Sequence, residues 1–232
     1  GARQTGKTTS VKKQYSGLAY FNLDSLEIRE HLSKVSSFSW GASTGNAVLD
    51  EIQKEPGLLE KIKYAFDEKK ITFSVLLGSA QILLMKKVRE SLAGRVFVYE
   101  LWPLTLAELL CESDQKIEPI FLLKMLEEKS VENACLRRSS SAFAPEKDEK
   151  IRHWEEYLLQ WGGMPSLLNL DDNRKWEWLR SYELTYLERD LGDLARINDL
   201  GPFRTFHKLA ALRCGNLLSY SSLSAEAGIS IE

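Results

Sequence analysis

The sequence predicts an α/β fold, a parallel sheet covered by helices, followed by a helical second half. Three observations carry this. Short apolar runs alternate with helical segments through the first half of the chain, the pattern of strand–helix–strand units. A glycine-containing loop opens the chain, and a later apolar run ends in two acids. Beyond Thr105 apolar residues recur only at helical spacing.

The 232 residues suffice for one sizeable domain or for one domain with a small companion. The 31 Lys and Arg nearly cancel the 33 Asp and Glu, so no global field steers the chain onto nucleic acid or an anionic surface. No apolar run reaches the length of a membrane span, and the best, 75–85, is broken by Gly78, Ser79 and Gln81. Cys111, Cys135 and Cys214 lie far apart and form no CxxC pair. That spacing argues against a disulfide framework or a zinc site and fits buried or idle thiols in a reducing cytoplasm. The expectation is a cytoplasmic chain with no membrane contact; an oligomer is compatible with it.

The loop comes first. Gly1-Ala2-Arg3-Gln4-Thr5-Gly6-Lys7-Thr8 fits G-x-x-x-x-G-K-[ST] at every fixed position. Gly1 and Gly6 permit backbone angles that turn successive N–H groups inward around phosphate oxygens. Lys7 supplies a cation to the β- and γ-phosphates of a nucleoside triphosphate, and the Thr8 hydroxyl is a ligand for Mg²⁺. From Thr9 to Tyr15 the chain can continue as a helix whose positive end faces those phosphates. Gly1 to Thr9 are thus the candidate contacts for ATP. A buried strand normally leads into such a loop; here it would lie before Gly1, and the chain reads as truncated at both ends.

Residues 17–23 read as a buried strand, after which Asp24 or Ser25 caps a helix to about Leu32. Residues 46–51 then form a short apolar strand ending in Asp50 and Glu51. Two acids at a strand's end beside a phosphate loop suit Mg²⁺-dependent hydrolysis. Asp50 would hold the metal through its water shell, and Glu51 would orient and deprotonate the attacking water. Pro56-Gly57 opens a helix over 58–70 with Leu58, Leu59, Ile62, Ala65 and Phe66 on one face. A third strand is predicted over 71–77, running into Gly78-Ser79-Ala80-Gln81. Ser79, and after it Gln81, could touch the γ-phosphate or the water; Ser79 could equally be a helix cap. A last strand is predicted over 96–101, stopped by Pro103. Strand ends are where ligands sit in such sheets, and the loop, Asp50, Glu51 and Ser79 all fall there.

At this point the chain resembles the prokaryotic AAA+ ATPases in which a phosphate-loop core precedes a C-terminal domain of unknown function. The resemblance rests on Gly1 to Thr8, Leu49-Asp50-Glu51-Ile52-Gln53, Leu77-Gly78-Ser79-Ala80-Gln81 and Ser91-Leu92-Ala93-Gly94-Arg95. Glu100-Leu101-Trp102-Pro103-Leu104, Gly162-Gly163-Met164-Pro165 and Tyr186-Leu187-Glu188-Arg189-Asp190-Leu191 extend it over nearly the whole chain in the family's order. It implies an AAA+ type sheet with the phosphate-loop strand at its centre, then a helical lid, which the helix break Gly162-Gly163-Met164-Pro165 marks. It also implies that Asp50 and Glu51 form the second nucleotide motif and that Ser79 lies in the sensor segment. Leu77 departs from the Thr that family members often carry before the Gly-Ser. Arg95 is a candidate for stabilising the transition state; the alternative is an arginine at a strand start paired with a carboxylate.

The expected domains are a nucleotide-binding core at 1–104, a helical linker and lid at 105–165, and a helical region at 166–232. Helices are predicted at 106–111, 119–129, 151–161 and 176–197, with a polar, Ser-rich linker over 131–150. Trp154, Tyr157, Leu158 and Trp161 recur at helical spacing, either as a core face or as a platform for bases. From Phe203 a helix, then Ser219 and Gly228 as cap and turn, look like the first half of a helix-turn-helix. Such a module contacts either DNA or a protein. The function expected of the whole is hydrolysis of ATP coupled to movement of the helical half. The alternatives are a nucleotide-gated or DNA-binding switch with little turnover, and a kinase.

Overall fold

The computed structural model describes residues 3–78, 88, 90–111, 121–128, 145–186 and 201–230. Gly1, Ala2, Ser79, Gln81, Cys135, most of the Ser-rich linker and residues 187–197 of the expected long helix lie outside the described residues.

The first half is a parallel sheet with helices. Helix α1 (Lys7–Gln14) precedes β1 (Ala19–Asn22), α2 (Leu26–Lys34), α3 (Trp40–Ser43), β2 (Ala47–Asp50), α4 (Leu58–Asp67) and β3 (Val75–Leu76). The strands lie in the order β1-β2-β3, all parallel, with Tyr20 opposite Val48 and Asn22 opposite Asp50. Parallel neighbours need crossovers, and α2 with α3, then α4, provide them.

Strand parity decides what each face does. Ala47 and Leu49 point into a core with Leu23, Leu32, Trp40, Ile52, Leu58, Leu59, Ile62 and Ala65. Burying one such leucine contributes about 1.5–3 kcal/mol, so this face is what closes α2, α3 and α4 onto the sheet. The opposite parity, Tyr20, Val48 and Asp50, faces α1: Thr8 reaches Asp50, and the Lys12 ammonium lies 3.9 Å from the centre of the Tyr20 ring. Ser25 caps α2 by accepting the Ile28 N–H, and Lys61 donates to the carbonyls of Leu32, Ser33 and Val35 at that helix's other end.

Two expected strands are corrected. The third is confined to Val75–Leu76, with Leu77 continuing the ladder by bonding Leu49 O and Ile52 N. Upstream, Asn46 binds the Thr72 and Phe73 N–H groups through its side chain, which takes those donors out of any ladder. Residues 96–100 form no strand, because extended backbone is a strand only when a neighbour pairs with it, and none does among the described residues. Phe97 and Tyr99 are accordingly exposed.

Helices α5 (Leu106–Leu110), α6 (Phe121–Glu128), α7 (Pro145–Trp161) and α8 (Asp172–Tyr186) follow. Helix α7 begins within the expected linker: Pro145 fits a first helical position, and the acids after it favour a helix start. Thr105 and Glu108 form a reciprocal capping box on α5. The Gly162–Pro165 break sits close against α5's entry, Leu104 N donating to Gly163 O at 2.7 Å. A Cβ on Gly163 would lie 2.1 Å from the Leu104 carbonyl oxygen, so only glycine fits. Trp154 and Tyr157 meet edge to face, and the buried Lys175 ammonium lies over Tyr157 and Trp161. Trp161 is buried, and Trp154 and Tyr157 are half-buried.

The chain divides into two compact units, Gly1–Lys175 and Trp176–Glu232. In the second, α9 (Gly201–Leu212) is followed by α10 (Tyr220–Ala227), and Arg213, just past α9, pairs with Glu226 of α10. Ser219 caps α10, and Gly228 ends it in the left-handed conformation at φ 66°. No helix among the described residues is long and apolar enough to cross a membrane.

Candidate functional site

The opening loop enters α1 through two left-handed residues, Gln4 at φ 60° and Gly6 at φ 91°. Alternating left- and right-handed backbone turns successive N–H groups to one side, an anion-binding concavity. Gln4 is uncommon there, whereas Gly6 adopts such angles without steric cost. Thr5 between them is buried, and Thr9 is exposed on the first helical turn. The first turn of α1 carries no acidic side chain of its own, which leaves its positive end suited to an anion.

Lys7 is half-buried. Burial lowers its pKa below the ordinary lysine value, Glu51 and then Asp50 pull it back up, and Arg3 pushes it down. The cation therefore sits in the field of both expected acids, on the loop that carries it.

Asp50 is where α1, β1 and β2 meet. It is buried, and its carboxylate accepts three hydrogen bonds. Thr8 Oγ1 and the Tyr20 hydroxyl both donate to Oδ2 at 2.7 Å, and the Glu51 N–H donates to Oδ1 at 3.0 Å. Tyr20's own pKa is raised, first by burial and then by this bond. Tyr20 was not foreseen from the sequence. The signal is its parity with Asp50 on adjacent strands, and reading it requires the register.

Glu51 leaves the strand in the left-handed conformation, φ 59° and ψ 42°, costly for a residue other than glycine. Its Oε2 accepts from Gln53 Nε2. Gln53 is the second neighbour to which the sequence assigned no role of its own.

Arg95 lies with Asp67: its Nε donates to Oδ1 at 2.6 Å and Nη1 to the Ala93 carbonyl at 3.1 Å. The pairing raises its pKa further. Ser79 lies outside the described residues. The structure thus brings together Lys7, Thr8, Asp50 and Glu51, and finds Arg95 engaged with a carboxylate on the end of α4.

No group of three or more His, Cys, Asp or Glu among the described residues could hold a metal by itself. The Thr8 hydroxyl and the Asp50 carboxylate are hard oxygen donors, and one or two such protein ligands with water and phosphate suit Mg²⁺. They fit.

Residues 1–110 match the family model of an AAA domain, and residues 151–232 match that of a domain of unknown function (DUF8612). No curated protein and no solved structure matches the chain. The first match implies nucleotide binding and ATPase-type chemistry at the level of the family.

Proposed function

We propose that this chain, which carries an AAA domain followed by a domain of unknown function, binds MgATP at its opening loop and hydrolyses it. The observation that carries the reading is the convergence of Lys7, Thr8, Asp50 and Glu51, remote in sequence, at one strand edge. The N–H groups of residues 3–9, with Gly1 and Ala2 ahead of them, receive the phosphates. Lys7 places its charge between the β- and γ-phosphates. Thr8 and Asp50 would hold Mg²⁺, which when bound offsets the charge on the phosphate oxygens.

Glu51 takes the proton of a water that attacks the γ-phosphorus. The bond from that phosphorus to the β–γ bridging oxygen breaks, ADP leaves with the electron pair, and inorganic phosphate is released. Ser79 is the proposed contact of the γ-phosphate. The test is phosphate release from ATP with no acceptor present. Glu51→Gln should keep nucleotide affinity and lower turnover by about 10²–10⁴-fold. Unchanged turnover in the folded variant would remove Glu51 from the role of base.

A second reading, a nucleotide-gated switch with little turnover, is favoured by the Gln53 bond that engages the Glu51 carboxylate. In both readings ATP binding moves the helical half, and its C-terminal helices contact a protein or DNA. Tight binding with negligible phosphate release, and a nucleotide-dependent change in proteolysis of the helical half, would select the switch.

A further inference from the structure

We propose that Tyr20 is a positioning residue of the cation site, fixing Asp50 so that the Thr8 hydroxyl presents its lone pairs to the metal. The inference rests on the MgATP reading above and deepens it.

A threonine hydroxyl has one proton and two lone pairs. It can serve a cation well only if its proton is committed elsewhere. Here the proton goes to Asp50 Oδ2 at 2.7 Å. That assignment is only as good as the position of Oδ2, which a carboxylate can surrender by rotating about its terminal torsion. Two further donors oppose the rotation, the Glu51 N–H on Oδ1 and the Tyr20 hydroxyl on Oδ2 itself. The N–H belongs to the residue next to Asp50 and holds one oxygen. Tyr20 holds the oxygen that Thr8 uses.

The fold supplies this donor for a reason. Tyr20 stands opposite Val48 in the ladder, so it shares a face with Asp50 two positions further along. Asp50 is thus one strand over, about 4.8 Å, and two residues along at about 3.3 Å each, within reach of a long aromatic side chain. The ring is half-buried beneath α1, with the Lys12 ammonium 3.9 Å from its centre. Pairing of β1 with β2 does not need the hydroxyl, since the backbone ladder already joins them over four residue pairs. What the hydroxyl adds is directed at Asp50.

The experiment is calorimetric titration of the full chain with a non-hydrolysable ATP analogue, in Mg²⁺ and in EDTA, with thermal melts as a control. Tyr20→Phe should lower affinity in Mg²⁺ about tenfold, as expected for one bond to a charged acceptor, and leave affinity in EDTA unchanged. Tyr20→Phe and Thr8→Val combined should lose less than the sum of their separate losses, because Tyr20 acts through Thr8. An unaltered Mg²⁺ advantage in Tyr20→Phe, an equal loss in EDTA, strict additivity, or failure of the variant to fold would each overturn the positioning role. Failure of the MgATP reading itself looks different: the unmodified chain would then bind the analogue no better in Mg²⁺ than in EDTA.

Discussion

Thr8 and Asp50 are 42 positions apart in sequence, and the hydroxyl of one donates to the carboxylate of the other at 2.7 Å. The bond joins the first turn of α1 to the tip of β2. Thr8→Val keeps the side chain's shape and deletes the donor. We expect the affinity gained from Mg²⁺ to fall about tenfold or more while the EDTA affinity holds, measured by calorimetry. An unchanged Mg²⁺ gain would remove Thr8 from the cation site.

Gly163 is a packing prediction. Leu104 O would lie 2.1 Å from any Cβ placed there, and both partners are backbone. Gly163→Ala should therefore destabilise the chain by about 1–3 kcal/mol, read as a lower urea midpoint at unchanged slope. An unshifted midpoint would mean that this contact is not held in solution.

Arg95 is decided by its partner. If its task is to pair with Asp67, an exposed pair, Arg95→Ala should leave phosphate release per bound nucleotide intact and move the melting temperature little. If it stabilises the transition state, turnover should fall by about 10³-fold or more with the fold intact. The structure favours the first outcome.

Acid should loosen the last two helices. Glu226 is held below its ordinary 4.5 by hydrogen bonds from Arg213 and Ser222. A depressed carboxyl pKa means that the unfolded state takes up its proton first. The stabilisation is therefore complete above about pH 4.5 and is lost as the pH falls through the lower folded value. Hydrogen exchange of the α10 amides should accelerate over that window, and Glu226→Gln should abolish the pH dependence.

Much of the site was legible because it is local. Gly6, Lys7 and Thr8 are fixed by contiguous spacing, and Asp50-Glu51 by the apolar run in front of them. The parallel order followed from strands alternating with helices, and Ser25 and Ser219 announced their helices as caps. Tyr20 was not legible, since which residue lies beside Asp50 depends on a register that no single strand encodes. The 96–101 run misled for a related reason: Val96, Phe97, Val98 and Tyr99 have strand propensity, but propensity supplies no partner. For Arg95 the sequence left open a transition-state role or pairing with a carboxylate, and it could not name the partner because Asp67 is 28 positions away.

The backbone turn at Glu51 has a consequence of geometry. Consecutive residues of a strand send their side chains to opposite sides, so an adjacent pair of acids would ordinarily be divided by the sheet. The chain abandons extended backbone one residue after Asp50, and the Lys7 ammonium feels Glu51 and Asp50 together. The turn converts a dipeptide into a pair of tools on the same bench. It also sets which replacements the position will accept: Gly or Asn follows the backbone at little cost, whereas a β-branched residue would resist the turn and part the two acids again.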